Sequence, residues 1–204
     1  PVIVYPAAAV VVVYNQRTHT QAFFREHTDD VLGVAVHAER GLVASSQKSY
    51  REKGRTRKPT IWVWHVDDAA AGRNASSASG PLVFTGCHQR FYSILCFNPR
   101  GDLLCSVGAD DDNTLVLWDW EKGVALCHVP TQKERIFAAR CDPFGGSAAA
   151  AASLPPFAGR LVLAGKGFVR LYSTEELAAA GLGERRGDTR LALPGRERAV
   201  AQLA

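Results

Sequence analysis

This 204-residue sequence lacks several features that would assign it to a familiar class. It has no methionine, no Cys-x-x-Cys pair and no run of about 18 apolar residues of the kind that crosses a membrane. Its five cysteines are an odd number, so buried reduced thiols explain them better than a disulfide framework. The missing methionine, together with Pro1 at the start, leads us to expect a piece of a longer protein.

Sequence patterns for catalysis and for metal or phosphate binding are also missing. No Gly-x-Ser-x-Gly nucleophile motif occurs, and Cys87-His88 has no partner pair at zinc-finger spacing. ADDDN at Ala109–Asn113 lacks the ligand spacing of a calcium loop and predicts a turn instead. GRLVLAGKG at 159–167 has the wrong spacing for a phosphate loop, so its Gly-Lys-Gly predicts a hairpin turn. We expect a non-catalytic protein with no cofactor and no metal.

The composition is that of a mildly basic globular domain. Hydrophobic residues make up 47% of the chain, enough for a core at this length, and the net charge is +4. A charge of this size does not by itself indicate nucleic-acid binding. The most basic segment offers only Tyr50 as a stacking platform for bases. We therefore expect neither a nucleic-acid partner nor a membrane partner.

What the sequence does contain is a repeat. The segments TIWVWHV, TLVLWDW and FVRLYST carry an aromatic residue at Trp64, Trp118 and Tyr172, and each lies 54 residues after the previous one. Aliphatic residues in the three segments follow the same step. Each segment is short, rich in β-branched and aromatic residues and bounded by turn formers, which predicts a strand.

A second repeated element precedes each aromatic strand. VAVHAERG, LCFNPRG and ARCDPFG end an apolar run with a short polar residue and then a glycine, which is typical of a turn. Another apolar run follows each turn, and PLVFTG and VALCHV supply fourth strands. Four short antiparallel strands per unit predict an all-β protein made of β-propeller blades. The one helical turn that we expect lies near 175–180.

The strand pattern predicts the boundaries of the blades and of two insertions. Residues 1–26 would be the final strands of a preceding blade, and blades would follow at 27–86, 87–130 and 131–193. A basic insertion lies at 47–59 and an Ala/Pro-rich insertion at 145–159, and a further blade would begin at 194–204. Counting the partial blades at both ends, the chain would hold about four blades, fewer than four of them complete. Closed propellers need roughly four to eight, so we expect an incomplete arc of a longer protein.

Three segments carry a resemblance to a known family. VVVVYNQRTHTQAFFREHTDDVLGVAVHAERGLVASSQ, PTIWVWHV and GADDDNTLVLWDWEKG are similar to the echinoderm microtubule-associated protein-like family, a divergent branch of the WD-repeat propellers. The similarity covers roughly Val2–Tyr172, although Glu26 stands where the family has glycine. It implies an arc of the first of two fused propellers. It also implies binding to tubulin or microtubules, in several relatives within cilia.

The resemblance and the repeat together predict which residues build the blades. The turn His-Thr-Asp-Asp at 27–30 would join the last strand of one blade to the innermost strand of the next, and its histidine would bond within the blade. The predicted structural positions are His27, Asp30, Trp64, Trp118, Asp119 and Tyr172.

The segment KSYREKGRTRKP at 48–59 holds six basic residues and one acidic residue. It falls between the second and third strands of a blade and would protrude from one rim. It is either a solvated, flexible insertion or an electrostatic contact for an acidic partner. Tubulin surfaces are strongly acidic, so charge and resemblance agree. The candidate contact residues are Lys48, Arg51, Lys53, Arg55, Arg57 and Lys58.

The function that follows is a non-catalytic, microtubule-associated scaffold in the cytoplasm and cytoskeleton, with the ciliary axoneme as a further location. Its partners would be tubulin, the microtubule lattice or other axonemal proteins, and the remaining blades of its own longer chain. The alternative is a generic cytosolic WD-repeat adaptor that binds a peptide or a protein subunit.

Overall fold

The computed structural model describes residues 1–72, 80–85, 87–88, 90–142 and 159–180. These residues are mostly β-structure, with sixteen strands and two short helices among them. They fall into two compact units. The first holds Pro1–Leu95 and Gly108–Asp110, and the second holds Cys96–Val107 and the residues from Asp111 onward.

The strands have the following bounds. Those that begin in the first unit are β1 (Val2–Ala7), β2 (Val10–Asn15), β3 (Thr20–Phe24), β4 (Val31–His37), β5 (Leu42–Gln47), β6 (Tyr50–Glu52), β7 (Arg55–Arg57), β8 (Thr60–His65), β9 (Leu82–Thr85) and β10 (Tyr92–Phe97). The others are β11 (Leu103–Gly108), β12 (Leu115–Asp119), β13 (Val124–Val129), β14 (Ile136–Cys141), β15 (Arg160–Gly165) and β16 (Phe168–Ser173). The helices are α1 (Val66–Ala71) and α2 (Thr174–Ala180).

Strand order within each sheet follows chain order. The sheets are β1-β2-β3, β4-β5-β8-β9, β10-β11-β12-β13 and β14-β15-β16, and β6 pairs with β7 in a separate two-stranded sheet. Sequential meanders of this kind are the blades of WD-type propellers. The predicted all-β fold is therefore confirmed, including β9 and β13 as the fourth strands of two sheets.

The three aromatic residues of the repeat occupy equivalent places. Trp64, Trp118 and Tyr172 lie on the third strands of successive sheets, opposite Val43, Leu104 and Leu161 of the second strands. All three aromatic side chains are buried. The 54-residue step thus places a large buried ring at one register position of each of these three sheets.

A hydrophobic core joins the first two sheets within the first unit. Phe24 of β3 stacks on Trp64 with ring centroids 4.4 Å apart and planes only 2° from parallel. The other buried members of this cluster are Val11, Val13, Val31, Val43 and Ala69. Each valine or phenylalanine side chain contributes about 1.5–3 kcal/mol when fully buried, so the stack is a main source of stability for this unit.

Helix α1 follows β8 directly and is a helical segment that the sequence did not predict. His65 precedes the helix as its N-cap, and the Asp68 carboxylate accepts a hydrogen bond from the backbone N–H of His65 at 2.7 Å. Gly72 ends the helix with φ 66°. Helix α2 confirms the helical turn expected near 175–180. Most of the Ala/Pro-rich insertion, and the predicted blade segments beyond residue 180, lie outside the described residues.

A basic hairpin as candidate protein-binding surface

The basic insertion is a two-stranded hairpin, β6–β7, which leaves the second sheet after β5 and returns to it at β8. Its register pairs Tyr50 with Arg57 and Glu52 with Arg55. The connecting residues Lys53 and Gly54 have φ values of 47° and 78°. Two consecutive left-handed residues are what a type I′ hairpin turn requires, and glycine supplies the second of them without steric cost. The predicted basic insertion therefore has regular β-structure.

The hairpin register separates its charges onto two faces. Because side chains alternate along a strand, Glu52, Arg55 and Arg57 share one face and Arg51 lies on the other. Arg57 Nε donates to Glu52 Oε2 at 2.8 Å, so the one carboxylate of the hairpin is engaged by one arginine. The Arg51 face carries no acidic residue within these two strands.

Five of the six candidate contact residues are exposed, and one of these, Arg57, is held in the ion pair with Glu52. Arg51, Lys53, Arg55 and Lys58 are exposed and make no ion pair among the residues that the structure describes. Residues 48–59 contribute six positive charges and one negative charge, a net +5, whereas the whole chain carries +4. The remaining residues together carry a net charge of −1, so the net positive charge of the chain comes from this segment.

Lys48 has a different role at the base of the hairpin. Its Nζ lies 2.7 Å from Asp30 Oδ2 and 3.1 Å from Asp29 Oδ1. The hydrogen bond to Asp30 raises the pKa of Lys48, and the backbone N–H of Asp30 lowers the pKa of Asp29. Asp30 is therefore an exposed residue that ties the turn at 27–30 to the start of the hairpin.

His27 lies inside the second sheet, at the centre of a side-chain network. Its Nε2 is 2.7 Å from Ser45 Oγ, and its Nδ1 is 3.1 Å from Gln47 Oε1. Trp64 Nε1 donates to the same Ser45 Oγ at 3.0 Å. Burial lowers the pKa of His27 to about 4, so the imidazole is neutral at pH 7. A neutral ring with its proton on Nδ1 satisfies both contacts, because Ser45 then donates to Nε2.

The third sheet repeats part of this arrangement. Trp118 Nε1 donates to Ser106 Oγ at 2.8 Å, as Trp64 does to Ser45. Asp119 is nearly buried, and its carboxylate accepts from the backbone N–H of Lys122 at 3.1 Å and from Lys122 Nζ at 2.7 Å. Asp119 thus closes the turn between β12 and β13.

His88 is a buried residue whose role the sequence did not reveal. Its Nδ1 lies 3.2 Å from Asp110 Oδ2, and its ring meets Tyr92 edge-on at 4.7 Å. A Cβ at Gly108 would overlap the His88 ring. The sequence does contain a signal for a structural role of His88. His27 and His88 each lie four residues before the first strand of a sheet.

Two predicted turns are confirmed. Ala109–Asn113 connects β11 to β12, and Asn113 Nδ2 donates to the carbonyls of Gln132 at 2.6 Å and Glu134 at 3.0 Å. Lys166-Gly167 connects β15 to β16, with Gly167 at φ 77°. The acidic turn therefore braces the segment before β14 through its asparagine.

Metal sites and membrane-spanning helices were also considered among the described residues. Among them, no group of three His, Cys, Asp or Glu side chains is arranged to hold a metal ion. None of the helices described is long and apolar enough to cross a membrane.

Comparison with characterised proteins found similar sequences. Echinoderm microtubule-associated protein-like 1 of Mus musculus and of Homo sapiens are each 30% identical to this chain over 143 residues, which cover 69% of this chain. The 77 kDa echinoderm microtubule-associated protein of Lytechinus variegatus is 24% identical over 174 residues, 84% of this chain. No protein-family profile matches the chain. The matched region is 17% of the first two proteins and 23% of the third.

Proposed function

Since this chain is a distant homologue of the echinoderm microtubule-associated protein-like proteins, we propose that it is a non-catalytic scaffold that binds microtubules through its basic hairpin. The observation that carries the proposal is the set of exposed cations on β6–β7: Arg51, Lys53, Arg55 and Lys58. Together they place positive charge on both faces of the hairpin, at its turn and at its return to the blade. The microtubule surface is acidic, so the two surfaces are complementary in charge.

Electrostatic complementarity acts mainly on encounter and orientation. Exposed charges attract an oppositely charged surface over about 8 Å at physiological salt, and neighbouring cations on one element reinforce one another. The hairpin presents cations on both faces, so a flat acidic lattice can be approached by either face. A scaffold role follows, because binding of this kind needs surface area rather than a pocket.

A catalytic role finds no support in the buried histidines. His27 is held by Ser45 and Gln47, and His88 is held beside Asp110 and Tyr92. Both are enclosed by the sheets. We assign these residues to blade architecture, and we place the protein at the cytoskeleton, with the ciliary axoneme as a location to be tested by imaging of the tagged protein.

Cosedimentation with polymerised tubulin tests the proposal. The hairpin variant replaces Arg51, Lys53, Arg55 and Lys58 with serine, and we expect its affinity to fall roughly tenfold or more, since four surface charges of a binding patch are lost. The matched control replaces four exposed cations elsewhere, Arg17, Arg25, Lys133 and Lys166, and has the same net charge. We expect the control to bind within about twofold of the unmodified chain.

Two results would contradict the proposal. Equal losses in the hairpin variant and the control would mean that only net charge matters, and an unmodified chain that stays in the supernatant at low salt would favour the adaptor alternative. Adding Lys48→Ser and Arg57→Ser to the hairpin variant should change binding little, because carboxylates already engage both residues.

A further inference from the structure

The second unit contains a group of thiols that the proposed function does not use. Cys96 on β10, Cys105 on β11 and Cys127 on β13 are buried, and Cys141 at the end of β14 is partly exposed. The Sγ atoms of Cys96 and Cys141 are 3.8 Å apart, although the two residues are 45 positions apart in the chain. All four thiols are free.

We propose that Cys96 and Cys141 are a redox pair that forms a reversible disulfide on exposure to a peroxide. A disulfide needs its sulfurs about 2.05 Å apart, so they must approach by less than 2 Å from their present separation. Small rotations of two side chains can supply this movement. The bond would link β10 to β14, which belong to different sheets.

The surroundings of Cys96 support its role as the attacking sulfur. Hydrogen bonds from the Cys105 and Cys141 thiols hold the pKa of Cys96 well below its usual range. The hydrogen bond with Cys96 raises the pKa of Cys141, which therefore stays protonated until Cys96 has reacted. The thiolate is the reactive form of cysteine, so Cys96 reacts first.

The oxidation proceeds in two balanced steps. The Cys96 thiolate attacks one oxygen of hydrogen peroxide, the O–O bond breaks, and hydroxide leaves while Cys96 becomes a sulfenic acid. Cys141 then loses its proton to hydroxide and attacks the Cys96 sulfur. The S–O bond breaks, the disulfide forms, and a second hydroxide leaves. The two sulfurs have lost two electrons to one peroxide. Its oxygens end as one water and one hydroxide, and the hydroxide becomes a second water by taking up the proton that Cys96 released to form its thiolate.

Exposure favours Cys141 over Cys105 as the second cysteine. Both are within hydrogen-bonding reach of Cys96, but Cys105 is only 1% exposed. The hydrogen bond with Cys96, together with burial, raises the pKa of Cys105. Cys141 is partly open to solvent, so a reductant can later reach the bond.

Peroxide treatment of the 204-residue chain tests this pairing. After a moderate excess of hydrogen peroxide, titration of the denatured protein should find two of its five thiols lost, and peptide mapping should find Cys96 joined to Cys141. Dithiothreitol should restore all of them. The oxidised protein should melt roughly 5–10 °C higher than the reduced protein, because a long loop of the unfolded chain is closed.

Serine variants distinguish this pair from the other thiols. Cys141→Ser and Cys96→Ser should each abolish the disulfide, whereas Cys127→Ser and Cys87→Ser should keep it. Should Cys96→Ser not fold, Cys141→Ser at its partly exposed position provides the same test. A Cys96–Cys105 bond, or oxidation confined to Cys87 in the folded protein, would overturn the proposal.

Discussion

At the scale of single residues, Ser45 shows how one hydroxyl can hold a blade together. It accepts the indole N–H of Trp64 and contacts the imidazole of His27, so it joins the turn before the sheet to its second and third strands. All three side chains are buried, where an unpaired polar group costs about 1–3 kcal/mol. The contacts of His27 with Ser45 and Gln47 therefore require the neutral imidazole.

This requirement makes stability depend on pH. The pKa of His27 is about 4 in the folded chain and 6.5 in the unfolded chain, so between these values the unfolded state binds more protons. Stability is therefore fully present above pH 6.5 and falls as the pH drops toward 4. We expect a loss of about 3 kcal/mol from this residue, measured by urea unfolding from pH 7 to pH 4.

The variants His27→Gln and His19→Gln isolate the effect. His27→Gln lowers overall stability but cannot take up the proton, so its curve against pH should be flatter by up to about 1.4 kcal/mol per pH unit. His19 is exposed, and His19→Gln should follow the unmodified chain. Parallel curves for all three proteins would show that His27 is not responsible.

At the scale of elements, β11 packs closely against the turn before β10, and this packing limits the size of the side chains at the contact. Gly108 at the end of β11 has no room for a side chain, because the His88 ring occupies the position of its Cβ. We expect Gly108→Ala to destabilise the chain by about 1–3 kcal/mol in chemical denaturation, since the ring must be displaced from a well-packed site.

A second substitution checks this reason. In a His88→Ala background the ring is gone, and Gly108→Ala should then cost at least about 1 kcal/mol less, as expected for residues in contact. The same cost in both backgrounds would place the strain elsewhere.

The elements also show what a sequence can and cannot predict. The strands could be predicted because each short segment carries its own signal, such as an apolar run that ends in a turn with glycine. The aromatic residue that recurs every 54 positions then shows that the segments are equivalent. Helix α1 could not, because six residues are too few for a helical period and its start depends on the cap formed by His65 and Asp68. The ion pair of Lys48 with Asp30 and the approach of Cys96 to Cys141 join distant positions, which only the folded chain brings together.

At the scale of the whole molecule, the charge distribution governs how binding responds to salt. Replacing Arg51, Lys53, Arg55 and Lys58 with serine lowers the net charge from +4 to zero. We expect microtubule affinity of the unmodified chain to fall steeply as salt rises from 50 to 200 mM, because exposed charges are screened within about 10 Å.

The hairpin variant should bind more weakly and respond much less to salt in the same cosedimentation series. The control without Arg17, Arg25, Lys133 and Lys166 should keep the steep response. A steep salt dependence in the hairpin variant would assign the electrostatic contact to another part of the surface.

The way the hairpin joins its sheet has a consequence for how such a surface can change. β5 and β8 pair directly, with Ser46 opposite Ile61, so the pairing of these two strands does not depend on the hairpin inserted between them. The hairpin residues 50–57 can therefore be shortened, lengthened or recharged while the pairing of β5 with β8 is kept. The hairpin could be exchanged for one that binds a different partner. Sequence changes confined to the hairpin would alter binding in the same way.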